Sequence, residues 1–277
     1  MTKFKTPINL LGELERGYPI NVIGAPMAGK TLLALQMAFQ ETKGNILMLD
    51  ADGGAVIFTK KWIPRFQTRY QREVTPIILP SWSKKHTYGN QKEVKFEMRF
   101  LQNLGIDARA EISENGKTEF VPRGVFRPET DVMKIIKDRK IGMLVVDSFS
   151  QVFKEVFVGT QSFGSRARAE DMSYGMLKEI GLEFPELLIF VNHHQSANPI
   201  RGTIDASGGK SVIHNCKLAL FLEKMTSKKF EGLGKMWVYR APDIPEWGKF
   251  DWFRYTGEGM VDVDYEKEVK PLEQPNA

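Results

Sequence analysis

Residues 24 to 31 read Gly24-Ala25-Pro26-Met27-Ala28-Gly29-Lys30-Thr31, a G-x-x-x-x-G-K-T run between the apolar stretch Ile20–Ile23 and a segment carrying Leu32, Leu33, Leu35, Met37 and Phe39. Strand, glycine-bearing turn and amphipathic helix in that order specify a phosphate loop at the end of a sheet strand. The glycines let successive backbone N–H groups turn inward on an anion, and the helix opening near Lys30 adds the positive end of its dipole. Lys30 is spaced to reach β- and γ-phosphate oxygens. The Thr31 hydroxyl is a ligand for Mg²⁺, a hard cation that prefers oxygen. The run therefore implies a nucleoside triphosphate with its metal. A glycine-rich turn with no ligand is the bland alternative, and the flanking strand and helix argue against it.

Short apolar runs recur at Ile46–Leu49, Ile77–Leu79, Met143–Val146, Leu187–Val191, Leu218–Leu222 and Trp237–Tyr239. The earlier runs are separated by segments long enough for crossover helices, which predicts an α/β fold with a mainly parallel twisted sheet and helices on both faces. Val132, Ile135 and Ile136, and then Met172, Met176, Leu177 and Ile180, repeat at helical spacing before two of these strands. Pro242, Pro245 and Gly248 close the later strands, so an antiparallel extension is expected at the C-terminal edge. Residues 1–265 read as a single domain. Residues 266–277 are charged and proline-containing enough to be a flexible tail.

Between the third run and the Val132 helix lies an insertion at about residues 83–127. Asn115-Gly116 marks a hairpin inside it, with Ala108–Ser113 and Lys117–Val121 as arms. It is either a surface decoration or a contact for a partner or nucleic acid. A net charge of +5, from 39 basic and 34 acidic residues, permits a polyanionic partner without requiring one. The lone Cys216 excludes an internal disulfide and a cysteine metal site, which fits a reducing, cytoplasmic setting. No apolar run of about 18 residues suggests a membrane span or signal.

Met143-Leu144-Val145-Val146-Asp147 is an apolar strand ending in an acid, and in a parallel sheet that end lies beside the phosphate loop. Asp147 is the candidate to support Mg²⁺, directly or through water. The second run ends in Asp50-Ala51-Asp52-Gly53, where Asp52, or alternatively Asp50, would orient or deprotonate an attacking water. A solvated Asp- and Gly-rich turn is the alternative reading of that segment. His193-His194 makes a poor metal site, since neighbouring side chains on a strand face opposite ways and no third ligand is spaced to join them.

The segments Val146-Asp147-Ser148-Phe149-Ser150, Leu188 to Gln195, Gly208-Gly209-Lys210 with His214, and Arg240-Ala241-Pro242-Asp243-Ile244-Pro245-Glu246 resemble, in the same order, motifs of the RecA family of recombinases. The similarity is greatest to its archaeal RadA and RadB branches and covers most of the chain. It implies a RecA-like fold, ATP as the nucleotide, hydrolysis, and single-stranded DNA as partner in recombination or repair, with homo-oligomers or recombination proteins as further partners. Asp52 falls where the family has a catalytic Glu, and a carboxylate shorter by one methylene implies slow turnover. Asn192 matches the family's sensor strand, and His193 replaces the Gln that couples the γ-phosphate to DNA. Either would report the γ-phosphate. Pro242 and Asp243 lie in a segment resembling the cap over ATP bound on a neighbouring subunit, so the resemblance implies an oligomer completing the site.

Two loops contact DNA in this family. Here they would be residues 159–169, with Arg166 and Arg168, and residues 195–210, with Arg201 and Lys210. Both carry glycine and basic residues, as a groove for a phosphate backbone requires, but Phe163 is their one stacking candidate. Contact would be electrostatic, salt-dependent and poor in base specificity. The first strand begins within about twenty residues of Met1, and no F-x-x-A docking motif precedes it. The expectation is thus a RadB-like paralogue, mediator or annealing protein rather than a filament-forming strand exchanger. Alternatives are a DNA-binding switch with little turnover and a helicase-type ATPase core, since fold alone does not select function.

Overall fold

Strand β1 (Pro19–Gly24) is buried along its whole length and has parallel neighbours on both sides. An unbroken apolar run suits such a strand because both of its faces are covered. The computed structural model describes residues 16–88, 93–112, 115–125, 130–158, 162–198, 203–206, 216–241 and 249–273.

From β1 the chain runs through helix α1 (Lys30–Glu41), strand β2 (Asn45–Asp50), helix α2 (Ala55–Tyr70) and strand β3 (Pro76–Pro80). Strands β4 (Ser83–Tyr88), β5 (Glu93–Met98), β6 (Ile106–Ile112) and β7 (Thr118–Val125) follow, with the short helix α3 (Arg99–Asn103) between β5 and β6. Next come helix α4 (Asp131–Asp138), strand β8 (Ile141–Asp147), helices α5 (Phe149–Lys154) and α6 (Phe163–Glu183), and strands β9 (Leu188–Asn198), β10 (Thr203–Ala206) and β11 (Leu218–Lys224). Strands β12 (Leu233–Arg240), β13 (Lys249–Thr256) and β14 (Gly259–Asp262) precede a π-helical turn at Tyr265–Val269 and the short helix α7 (Lys270–Glu273).

The main sheet has the order β14-β13-β12-β11-β1-β9-β8-β2-β3, with β10 paired to β9. The pairs among β11, β1, β9, β8, β2 and β3 are parallel, and β11 through β14 are joined antiparallel. The fold is therefore the mixed α/β arrangement expected from the spacing of the apolar runs. Alternate side chains serve different layers: Ile20, Val22, Ile46 and Met48 pack with α1 and α2, whereas Ile23, Leu47 and Leu49 face the layer of α4, α5 and α6.

Helix α1 ends against Arg72, whose guanidinium donates to the carbonyls of Ala38 and Gly44 at 3.0 and 2.8 Å and also to that of Thr42. These carbonyls lie at or just beyond the last turn, where a helix has no partners of its own.

The inserted segment forms a separate antiparallel sheet in the order β4-β5-β6-β7. Its β6–β7 hairpin turns through Gly116, at φ +77°. It is built into the core: Phe100 meets Phe149 edge-on at 5.7 Å, Phe120 meets Phe157 at 6.4 Å, and Thr118 N donates to Ser162 Oγ at 3.1 Å. A loose tail is predicted from residue 266, but the helical turns at 265–273 bury Val269 with Leu233 and Trp252. Val269, with Leu272 packed beside it, joins these turns to that apolar cluster.

Candidate nucleotide-binding site

The phosphate loop leaves β1 at Gly24, where an added Cβ would stand 2.7 Å from the Leu222 carbonyl. Met27 and Gly29 take positive φ of 61° and 85°. Gly29 is required twice over, because a Cβ there would also meet Met260 Cε at 2.3 Å and Tyr255 Cε1 at 2.9 Å. Lys30 is buried, and its Nζ donates to the carbonyls of Gly24 and Ala25 at 3.0 and 2.9 Å. Burial lowers its pKa, and Asp147 and Asp52 partly offset that effect.

Parallel pairing brings Asp50 at the end of β2 beside Asp147 at the end of β8. The Thr31 hydroxyl donates to the Asp147 carboxylate. Burial raises the pKa of Asp147, with Thr31, Asn192 and Lys30 opposing the shift. A hydroxyl and a recessed carboxylate suit a hard divalent cation that completes its shell with phosphate oxygens and water. The residues present thus fit Mg²⁺, with Thr31 and Asp147 as the groups that would hold it. Among the described residues, no group of three His, Cys, Asp or Glu side chains forms a metal cluster.

The two acids after β2 stand differently. Asp50 is buried, and its oxygens accept from the backbone N–H groups of Asp52, Gly53 and Ala55 at 3.2, 2.9 and 3.2 Å. It therefore organises the turn and the first residue of α2. Asp52 is exposed at the cleft, its pKa raised to about 6 by partial desolvation first and then by Asp147 and Asp50.

Strand β9 divides its polar residues between two faces. His193 is fully buried on the α6 side, where the Tyr174 hydroxyl lies 2.8 Å from its Nε2 and donates to Asn21 Oδ1 at 2.6 Å, and the Phe149 ring packs 5.2 Å away. It does not reach the cleft. Asn192 is buried near Asp147, and its carboxamide is among the groups that favour the ionised Asp147 carboxylate. His194 is the β9 histidine that lines the cleft, with Nε2 3.9 Å from Asp52 Oδ2. Spacing announces that the two histidines face apart but not which one faces the cleft.

These residues enclose a cleft of about 430 Å³, walled on one side by Phe58, Lys61 and Trp62 of α2 and by Tyr255 of β13. Of these, Phe58 had a signal in the sequence, since the helix after the Asp52 turn opens beside the same strand ends; nothing local marks Tyr255. Ala25, Pro26, Met27 and Ala28 complete the loop, with Met27 exposed and Ala28 buried.

Arg166 and Arg168 do not line this cleft. Arg166 and Arg168 are not on an open loop: residues 163–169 form the first turns of α6. Arg166 donates through Nε to Glu170 at 2.7 Å, and Arg168 is exposed. Helix formation is favoured there because Arg166 and Glu170 meet at i, i+4. Within residues 195–210, the β9–β10 pairing forms a hairpin, while Arg201 and Lys210 lie outside the described residues. Pro242 and Asp243 lie outside them as well.

No protein-family model and no curated protein matches the sequence. Among solved structures, a RadB recombinase superposes with a TM-score of 0.56 at 19% sequence identity, covering 95% of this chain and 99% of that one. The chain thus has a RecA-like fold, shared with a RadB recombinase over nearly the whole length of both proteins.

Proposed function

We propose that the chain binds ATP with Mg²⁺ in this cleft, hydrolyses it slowly, and binds single-stranded DNA in recombination or repair. The observation that carries the reading is the convergence of Lys30, Thr31, Asp52 and Asp147 on one cleft, beside the N-terminus of α1. Loop N–H groups and the helix dipole receive the phosphates. Lys30 exchanges its carbonyl partners for phosphate oxygens, Thr31 and Asp147 hold the metal, and Asp52 orients water. Mg²⁺, when bound, neutralises charge on the phosphate oxygens. Phe58, Trp62 and Tyr255 offer flat apolar surface for a base.

Lys30→Ala tests the site. Calorimetry with ATP and magnesium is expected to detect tight binding to the wild type and none to the variant, with hydrolysis lost in parallel. Equal binding by both would reject the assignment. The single-stranded DNA reading draws on the shared fold and on exposed Arg168. Titration of a labelled oligonucleotide at several salt concentrations, with and without ATP, is expected to show affinity falling steeply with salt.

A nucleotide-operated switch with little turnover is the second reading, favoured by the half-exposed Asp52 and by the burial of His193 away from the cleft. DNA affinities in ATP and ADP would then differ strongly despite negligible hydrolysis.

A further inference from the structure

We propose that His194 is a second orienting group for the attacking water, acting with Asp52 at the γ-phosphate end of the cleft; this rests on the ATP-hydrolysis reading above. His194 Nε2 and Asp52 Oδ2 are 3.9 Å apart. That gap is too long for a direct hydrogen bond, yet one oxygen atom seated beside it lies within about 2.8 Å of both.

The strand holds the His194 backbone at the mouth of the phosphate loop. His194 pairs across the sheet with Gly24, the first residue of the phosphate loop, and its N–H donates to Ser150 Oγ at 3.1 Å. Its side chain is 21% exposed and faces the same cleft as Lys30, Thr31 and Asp147. Burial, with Lys30 and Lys154 nearby, lowers its pKa to about 4, so the imidazole is neutral near pH 7, and in its Nδ1–H tautomer Nε2 is the acceptor the step requires.

A water donating one hydrogen to Asp52 Oδ2 and the other to His194 Nε2 has a lone pair left for phosphorus. In the step, the water oxygen bonds to the γ-phosphorus and the bond from that phosphorus to the β,γ-bridging oxygen breaks, its electron pair leaving on ADP. One water proton passes to Asp52 and then to the inorganic phosphate, while His194 accepts the other hydrogen bond throughout. Asp52 alone offers a short carboxylate on a turn; the imidazole supplies a second acceptor that orients the nucleophile.

Steady-state ATP hydrolysis and calorimetric ATP and ADP affinities, measured on the full chain, test this. His194→Ala is expected to lower kcat by about 100-fold, to leave both affinities within about twofold, and to recover turnover partly when free imidazole is added. His194→Gln, which keeps an acceptor, is expected to lose less than about tenfold and carries the test should the alanine variant fold poorly. Unchanged kcat in a folded variant overturns the proposal. So does a selective loss of ATP over ADP affinity, which would mark His194 as a γ-phosphate contact instead. Absence of turnover in the wild type overturns the hydrolysis reading together with this one, whereas wild-type turnover with an active His194→Ala variant removes only this one.

Discussion

The Tyr255 hydroxyl donates to the Ala28 carbonyl at 2.9 Å across 227 residues of chain. The C-terminal β13–β14 hairpin thereby holds the phosphate loop from outside. Gln36 on α1 strengthens the contact, donating to the Met260 carbonyl and accepting from the Met260 N–H, both at 2.9 Å. Arg65 and Arg69 of α2 donate to the carbonyls of Gly257 and Glu258 at the hairpin turn. The loop's shape thus depends on residues 255–260 as well as on its own sequence.

Tyr255→Phe removes one hydrogen bond and leaves the ring in place. A loss of about 1 kcal/mol is expected, a fall of roughly 2–4 °C in Tm for a domain of this size. Thermal unfolding without nucleotide checks it, and an unchanged Tm would show that the Ala28 contact contributes nothing.

Gln36→Leu preserves much of the side chain's volume but leaves the buried Met260 N–H and C=O unpaired. Each orphaned group costs about 1–3 kcal/mol, so urea unfolding is expected to show a larger loss than for Tyr255→Phe. A smaller one would mean the hairpin finds other partners.

Asp50 and Asp52 are expected to separate by phenotype. Asp50→Ala removes the acceptor for three backbone N–H groups, so its main effect should be a drop of about 2 kcal/mol or more in stability. Asp52→Asn should leave Tm nearly unchanged and cut kcat at least about 100-fold, with ATP bound as tightly as before. Thermal unfolding and turnover measured on both variants check this, and the reverse pattern would exchange the two roles.

His193 should make the protein acid-sensitive. Burial, reinforced by Lys30, His194 and Arg166, lowers its pKa from 6.5 to about 3. Below pH 6.5 the unfolded chain takes up a proton that the folded state refuses, so this contribution to stability is present above that pH and is lost as pH falls toward 3. Between pH 6.5 and 5 the loss from this group approaches about 2 kcal/mol. His193→Gln is expected to be less stable at pH 7.5, having lost the Tyr174 contact, and to show a shallower decline on acidification. Denaturant unfolding at pH 7.5, 6.5 and 5 compares the slopes, and parallel slopes would contradict the assignment.

The sequence by itself determined the strand–loop–helix of residues 19–41, the apolar strands, the acid ending β8 and the order of the RecA-like motifs. Each is a local pattern: a run of buried side chains, a helical period, or a glycine where backbone must approach an anion. Tertiary structure decided what depends on partners distant in the chain. Asp50 and Asp52 are both carboxylates on one turn, and packing of α2 sends the oxygens of the first to backbone N–H groups and leaves the second in the cleft. His193 and His194 alternate on β9, and only the placement of α6 with Tyr174 on one face and the phosphate loop beside the other sets which lines the cleft. Tyr255 joins the site because β13 and β14 fold back over α1, an approach written in pairing register and burial, neither of which a short stretch of residues encodes alone.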